Sequence, residues 1–148
     1  PEIHLTAVAP SDFDALVAIR IEAMRESLTR VGRFDAVRAR ERFTASFLPK
    51  QTRYIESGGY QVGFVAVKPI EDGLLLDHLY ILPSWQGRGI GAAVLRIVFA
   101  EADAQHLSIR VGALIHSASN RFYLRHGFEF VERTEYDNYY VRRVRSAD

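Results

Sequence analysis

Residues 79–92 read Leu79-Tyr80-Ile81-Leu82-Pro83-Ser84-Trp85-Gln86-Gly87-Arg88-Gly89-Ile90-Gly91-Ala92, and their spacing could do chemistry. An apolar run that reads as a buried strand enters a turn of chain-breaking residues, and the turn opens a predicted helix at Ile90. Glycines at 87, 89 and 91 let the backbone approach a ligand with no Cβ in the way. Such a turn aims successive N–H groups and the positive end of a helix dipole at one point, an anion site suited to phosphate. Gly87 to Ala92 also spells the G-x-G-x-x-A of a dinucleotide turn. Against that, Pro83 to Gln86 separate the glycines from the strand. About 20 residues on, where a ribose-binding acid belongs, the chain reads Leu107-Ser108-Ile109-Arg110-Val111. No Gly-Lys-Ser/Thr is present, so a Walker A loop fails as well.

Taken as Q-x-x-G-x-G after an apolar strand that ends in Pro83, the segment resembles the GNAT superfamily of acyl-CoA-dependent N-acetyltransferases. Asn120-Arg121-Phe122-Tyr123-Leu124-Arg125-His126-Gly127-Phe128 extends the likeness, since it is similar to that family's N-x-x-x-x-Y/F-x-x-x-G-F region with the tyrosine one place away. The resemblance is close from the Gly58-Gly59 turn onward. It implies acetyl-CoA as co-substrate, with the pyrophosphate on the amides of Gln86, Gly87, Arg88, Gly89, Ile90, Gly91 and Ala92. The pantetheine arm would lie beside Leu79, Tyr80 and Ile81, pairing with the backbone of Leu79 and Ile81. An amide near Ile81 would bond the thioester oxygen as charge builds there.

The same resemblance gives Asn120 and Tyr123 their roles. They are three apart on a predicted helix and share a face. Asn120 would bond the pantetheine arm. Tyr123, whose phenol ordinarily titrates near pH ~10, would protonate the departing thiolate. The implied activity is acetyl transfer to a primary amine by direct attack in a ternary complex, since no Cys exists to carry an acyl intermediate. A catalytically silent acyl-CoA-binding sensor or interaction module is the alternative that the same motifs admit. For the general base, Asp77, His78 and ordered water are three options. Asp77 is placed with Leu75 and Leu79 on one strand face, His78 with Leu76 and Tyr80 on the other. An acid inside an apolar strand is costly unless paired, so Asp77 is either the base or an ion-pair member, with Arg110 as one candidate partner. No His spacing indicates a metal.

The elements that must position these groups follow from periodicity. Ile3 to Ala7 reads as a strand. Ser11-Asp12-Phe13-Asp14 reads as a capping box that opens a helix carrying Phe13, Leu16, Val17, Ile21, Met24 and Leu28 inward, broken at Gly32. A second helix is predicted from Asp35 to Phe47. Thr52 to Glu56 and Tyr60 to Lys68 form a hairpin around Gly58-Gly59, and Leu74 to Leu82 is a strand hydrophobic enough to be buried on both faces. After the helix from Ile90 come a strand from Ser108 to Ala113, a helix from Ser117 to His126, and a closing hairpin of Phe128 to Arg133 and Asn138 to Val144. The order β-αα-βββ-α-β-α-ββ is mixed α/β. By the resemblance it forms a GNAT-like, mostly antiparallel central sheet splayed between one parallel strand pair, with helices on both faces. Residues 1–148 read as a single N-acetyltransferase domain.

Composition sets the outer bounds. The chain has 148 residues, 48% hydrophobic and 25% charged, with a formal charge of +1 and no Cys. That charge gives no footprint for nucleic acid or an anionic membrane, and no run approaches the roughly 18 apolar residues of a membrane helix. The expected setting is cytoplasmic, as a monomer or homodimer, with a small-molecule or peptide amine as the acceptor. Arg20, Arg25, Arg30, Arg33, Arg38, Arg40 and Arg42 crowd the two N-terminal helices. Most read as solvated. Any that points inward would select an acceptor with a carboxylate or phosphate.

Overall fold

The structure is a computed structural model that describes residues 2–30 and 35–145, with the side chains of residues 26–28 and 30 outside that description. Leu28 and Arg30 as side chains, and Gly32 and Arg33 altogether, therefore lie outside the described residues. Seven strands and four α-helices follow in the order β1 (Ile3–Ala7), α1 (Phe13–Arg30), α2 (Ala36–Ser46), β2 (Thr52–Ser57), β3 (Tyr60–Ile70), β4 (Gly73–Ile81), α3 (Ile90–Ala104), β5 (Ile109–Leu114), α4 (Ser119–Arg125), β6 (Glu129–Arg133) and β7 (Asp137–Arg142). The strands form one mostly antiparallel sheet ordered β1-β2-β3-β4-β5-β7-β6. Its parallel pair is β4–β5, as a single crossover helix requires. Among the described residues no helix is long and apolar enough to cross a membrane.

Local chemistry explains the boundaries. The entry to α1 differs from the expected capping box. Pro10–Asp12 forms a 3-10 turn, and Asp12 Oδ2 accepts from the Ala9 amide at 2.8 Å, so Asp12 rather than Ser11 shapes the start. Asp35 caps α2 by accepting from the amides of Val37 and Arg38 at 3.0 and 3.2 Å. Gly127 adopts φ 95° just past α4, the left-handed conformation in which helices commonly end. β4 alternates in burial, with Leu74, Leu76 and His78 buried and Leu75, Asp77 and Leu79 half-buried. The expectation of burial on both faces is therefore met on one face only.

The chain divides into two compact units, Pro1–Ala66 with His78–Val94, and Val67–Asp77 with Leu95–Asp148. The division cuts through β3, β4 and α3. In the first unit, Leu16, Val17 and Ile19 of α1 join Phe43, Tyr54 and Phe64 in a buried cluster, and Phe13, Phe43, Phe47 and Phe64 meet at ring separations of 5.3 to 5.5 Å. Burial pushes the Tyr54 phenol up to about 12, with help from its hydrogen bond to Asp12. In the second unit, Leu95, Val98 and Ala102 of α3 are buried, as are Ile109, Val111, Phe128, Tyr140 and Val141.

A charged tie crosses that second unit. Arg142 of β7 is buried, makes two hydrogen bonds to the Asp103 carboxylate at 2.9 and 3.1 Å, and lies 4.0 Å from the Phe99 ring centre. The hydrogen bonds from Arg142 hold the Asp103 carboxyl below its usual range. A depressed carboxyl contributes stability that is present above its unfolded value, near ~3.9, and is lost as pH falls through the folded one. Asp103→Asn should therefore cost about 1–3 kcal/mol in urea unfolding at pH 7, because Arg142 keeps its burial and loses its carboxylate. The gap between variant and wild type should close in acid. A gap that is constant from pH 7 to pH 3 would show that the tie is not electrostatic.

Candidate functional site

The site begins at the end of β4. Gly63 in β3 stands against the Tyr80 carbonyl so closely that a Cβ there would lie 2.0 Å from Tyr80 O and 3.1 Å from Ile81 Cα. Only glycine fits. Since the peptide is planar and trans, a Tyr80 carbonyl directed at Gly63 turns the Ile81 N–H away from β3. The chain then leaves the sheet with a Leu82 amide bond to Val62 O at 2.9 Å, followed by a 3-10 turn at Pro83–Trp85.

Gln86 fastens this turn. Its Nε2 donates to Ile81 O at 2.9 Å, and its amide donates to Pro83 O at 3.2 Å. The expectation that Gln86 offers its amide to phosphate therefore meets an amide already engaged, and its side chain joins the turn to the end of β4. Trp85 holds the outer side, with its ring 5.8 Å from Tyr60 and the Arg88 guanidinium 4.8 Å above it.

Beyond Gln86 the backbone is open. Gly87 and Gly89 adopt φ values of 76° and 79°, with open space where a Cβ would stand. Among the described residues, the N–H groups of residues 87–92 have no protein acceptor; the first helical bond here runs from Ala93 N to Gly89 O at 3.1 Å. No acidic residue occupies the first turn of α3 to neutralise its dipole. Consecutive donors, left-handed glycines and a bare helix start make an anion cradle.

Behind β4, on the α1–α2 side of the first unit, lies a polar chain. Arg20 Nε donates to Tyr80 Oη at 3.4 Å, Tyr80 Oη is 3.3 Å from His78 Nδ1, and His78 Nε2 is 3.1 Å from Ser46 Oγ. The His78 ring is buried beside Phe43 and Phe64. Ser46 is a neighbour that the sequence around His78 does not announce. The signal for it lay only in tertiary packing.

The other sequence-derived residues fall in the second unit. Asp77 Oδ2 is 3.5 Å from Lys68 Nζ of β3, while Arg110 pairs with Asp72 instead. Asn120 is saturated. Its Nδ2 donates to Leu114 O at 2.7 Å and Ser117 O at 3.0 Å, and its Oδ1 accepts from Asn138 at 2.9 Å and Tyr140 at 2.7 Å. A side-chain amide has two N–H donors and two carbonyl lone pairs, so Asn120 serves as a clamp joining α4, the end of β5 and β7. Tyr123 is buried, with its ring 5.3 Å from Phe128 and 6.4 Å from Tyr140. The β4–β5 ladder pairs Leu74–Leu76 with Ile109–Val111.

Gly63→Ala tests the strand end. The added methyl must displace the Tyr80–Ile81 backbone, so urea unfolding should show a loss of about 1–3 kcal/mol, although alanine is otherwise favoured over glycine. Stability equal to wild type would mean that the β4 end yields freely.

Residues 49–130 match the acetyltransferase (GNAT) domain. No curated protein matches the sequence significantly. Among solved structures, the chain is similar to the PaiA N-acetyltransferase of Thermoplasma acidophilum in complex with coenzyme A, at 16% identity and TM-score 0.82, over 97% of this chain and 99% of that one. An acetyltransferase from Thermus thermophilus aligns at 19% identity and TM-score 0.77, over 97% and 98%. The ribosomal-protein-S18-alanine N-acetyltransferase of Escherichia coli aligns at 14% identity and TM-score 0.74, over 99% and 97%. At such identities the structural likeness speaks for the fold, while the domain match covers more than half of the chain and includes both the glycine turn and Tyr123: the chain belongs to the GNAT acetyltransferase family.

Proposed function

We propose that this acetyltransferase moves the acetyl group of acetyl-CoA to a primary amine by direct attack within a ternary complex. The observation that carries the reading is the run of unsatisfied N–H groups at residues 87–92, a ready receptor for a pyrophosphate. Gly87, Arg88, Gly89, Ile90, Gly91 and Ala92 would hold that group, with Gln86 supporting the turn from behind. The backbone of Leu79, Tyr80 and Ile81 would align the pantetheine arm. The Ile81 N–H, turned away from β3, would stabilise charge on the thioester oxygen as the amine nitrogen bonds to the acetyl carbon. The carbon–sulfur bond then breaks, and the thiolate takes a proton.

Tyr123 is the proposed donor of that proton, and Asp77 the proposed acceptor of the one the amine releases. Both roles rest on the family resemblance. The Asn120 clamp supports an indirect part for that residue, in which it holds α4, the helix that carries Tyr123. The acceptor is proposed to be a small-molecule or peptide amine.

Two experiments test the proposal. Acetyl-CoA at about 100 times its Kd should stabilise the fold by about 2.7 kcal/mol, and Gly89→Val should abolish most of that gain, because a β-branched residue disfavours φ 79°. A nicotinamide dinucleotide that stabilises the protein better than CoA would overturn the reading. In thiol-release assays, Tyr123→Phe should lower kcat by about 10²–10⁴ with CoA affinity nearly intact. Asp77→Asn should lose rate in a manner that shrinks at high pH, where more of the acceptor amine is already neutral. Full turnover in both variants would remove the proton-transfer assignments and leave the cradle standing.

A further inference from the structure

The two arginines buried among the described residues are treated very differently. Arg142 faces a carboxylate through two hydrogen bonds. Arg20, in α1, is equally buried at 7% exposure, and among the described residues no carboxylate pairs with it. Its protein partners are the Ala39 carbonyl, bonded by Nη1, and the Tyr80 hydroxyl, 3.4 Å from Nε. A guanidinium carries five N–H donors, so among the described residues most of its donors and its charge have no protein counterpart, and its unbonded nitrogen is left open to a ligand or solvent. Removing such a cation from water is expensive unless an anion repays it.

Placement gives the charge a purpose. Arg20 touches Tyr80, the residue next to Ile81, whose amide is the proposed thioester contact. It belongs to the same compact unit as the glycine turn, and it approaches β4 from the α1–α2 side. The cradle at residues 87–92 already supplies donors for the phosphates of CoA, so Arg20 answers a different anion.

We infer that Arg20 binds an anionic group of the acceptor, and hence that the physiological amine carries a carboxylate or a phosphate. This deepens the proposed function and rests on it for the identity of the bound molecule as an acceptor. A guanidinium meets either anion through two parallel hydrogen bonds, which fixes the orientation of the amine as well as its presence. Tyr80 holds the guanidinium in place from below, and the Tyr80–His78–Ser46 chain holds Tyr80.

The test measures binding separately from turnover. Glycine, β-alanine and γ-aminobutyrate are compared with their carboxamides, and phosphoethanolamine with ethanolamine, by calorimetry in the presence of CoA and by thiol release with acetyl-CoA. Wild type should prefer at least one anionic member over its neutral counterpart by about ten- to a hundredfold, the worth of a charged hydrogen bond. The carboxylate and phosphate arms identify which anion is preferred. In Arg20→Gln that preference should fall toward one, and Arg20→Lys, which keeps the charge without the fork, should restore part of it. No preference in wild type overturns the inference, and that result needs no variant to fold. A preference that persists in Arg20→Gln overturns it equally. Anion-selective binding without thiol release from any amine would leave Arg20 as an anion site and count against acetyl transfer instead.

Discussion

A helix that begins with unsatisfied amides is an unfinished structure, and the stretch before and within the first turn of α3 is unfinished along residues 87–92. Water can satisfy those donors, but the surroundings keep alternatives away. No acid occupies the first turn, the Gln86 side chain is turned to Ile81 O, and the glycines at 87 and 89 leave open space where side chains would stand. The neighbouring parts of the first unit serve this arrangement. Trp85, in contact with Tyr60 and Arg88, fixes the outer side of the turn, and Gly63 sets the carbonyl of Tyr80 from which the turn departs. Glycine costs conformational entropy at each position, a cost that a plain connection would avoid.

That part of the site was legible because its chemistry is local. Glycine spacing, a strand before and a helix after are all contained in about fourteen consecutive residues. Asn120 was not legible in the same way. Its partners Asn138 and Tyr140 lie 18 and 20 residues away, on a strand whose register against β5 decides whether they reach it. A spacing of three from Tyr123 places both on one helix face and says nothing of what that face meets. Asp77 shows the intermediate case. That it needed a partner followed from its burial, while which cation supplied it depended on the β3–β4 turn, where Lys68 and not Arg110 comes within reach.

The fold itself was readable in order and nearly in extent, because hydrophobic period, capping residues and turn glycines agree along most of the chain. Differences fall where a single residue redirects the backbone. Asp12 accepts the Ala9 amide and tightens the entry to α1 into a 3-10 turn, where a Ser11 cap was expected. The strand expected to end at Lys68 runs on through Pro69 to Ile70.

Satisfied and unsatisfied polar groups are not spread evenly. In the second unit Asn120 uses every donor and acceptor it has, and Arg142 is neutralised by Asp103 with one orphaned Nε. In the first unit lie the open amides after Gln86, the left-handed Gly87 and Gly89, and Arg20, buried with no carboxylate partner among the described residues. Each of these costs stability in the absence of an anion, and each would recover it on binding one. On the proposed function, the cradle would recover its cost with a phosphate and Arg20 with a second, separate anion. Two positive centres in one unit, one made of backbone and one of side chain, suit the holding of two anionic substrates at once. The direct transfer proposed above would require that simultaneous occupancy, because this chain has no cysteine to store an acyl group while one substrate leaves and the other arrives.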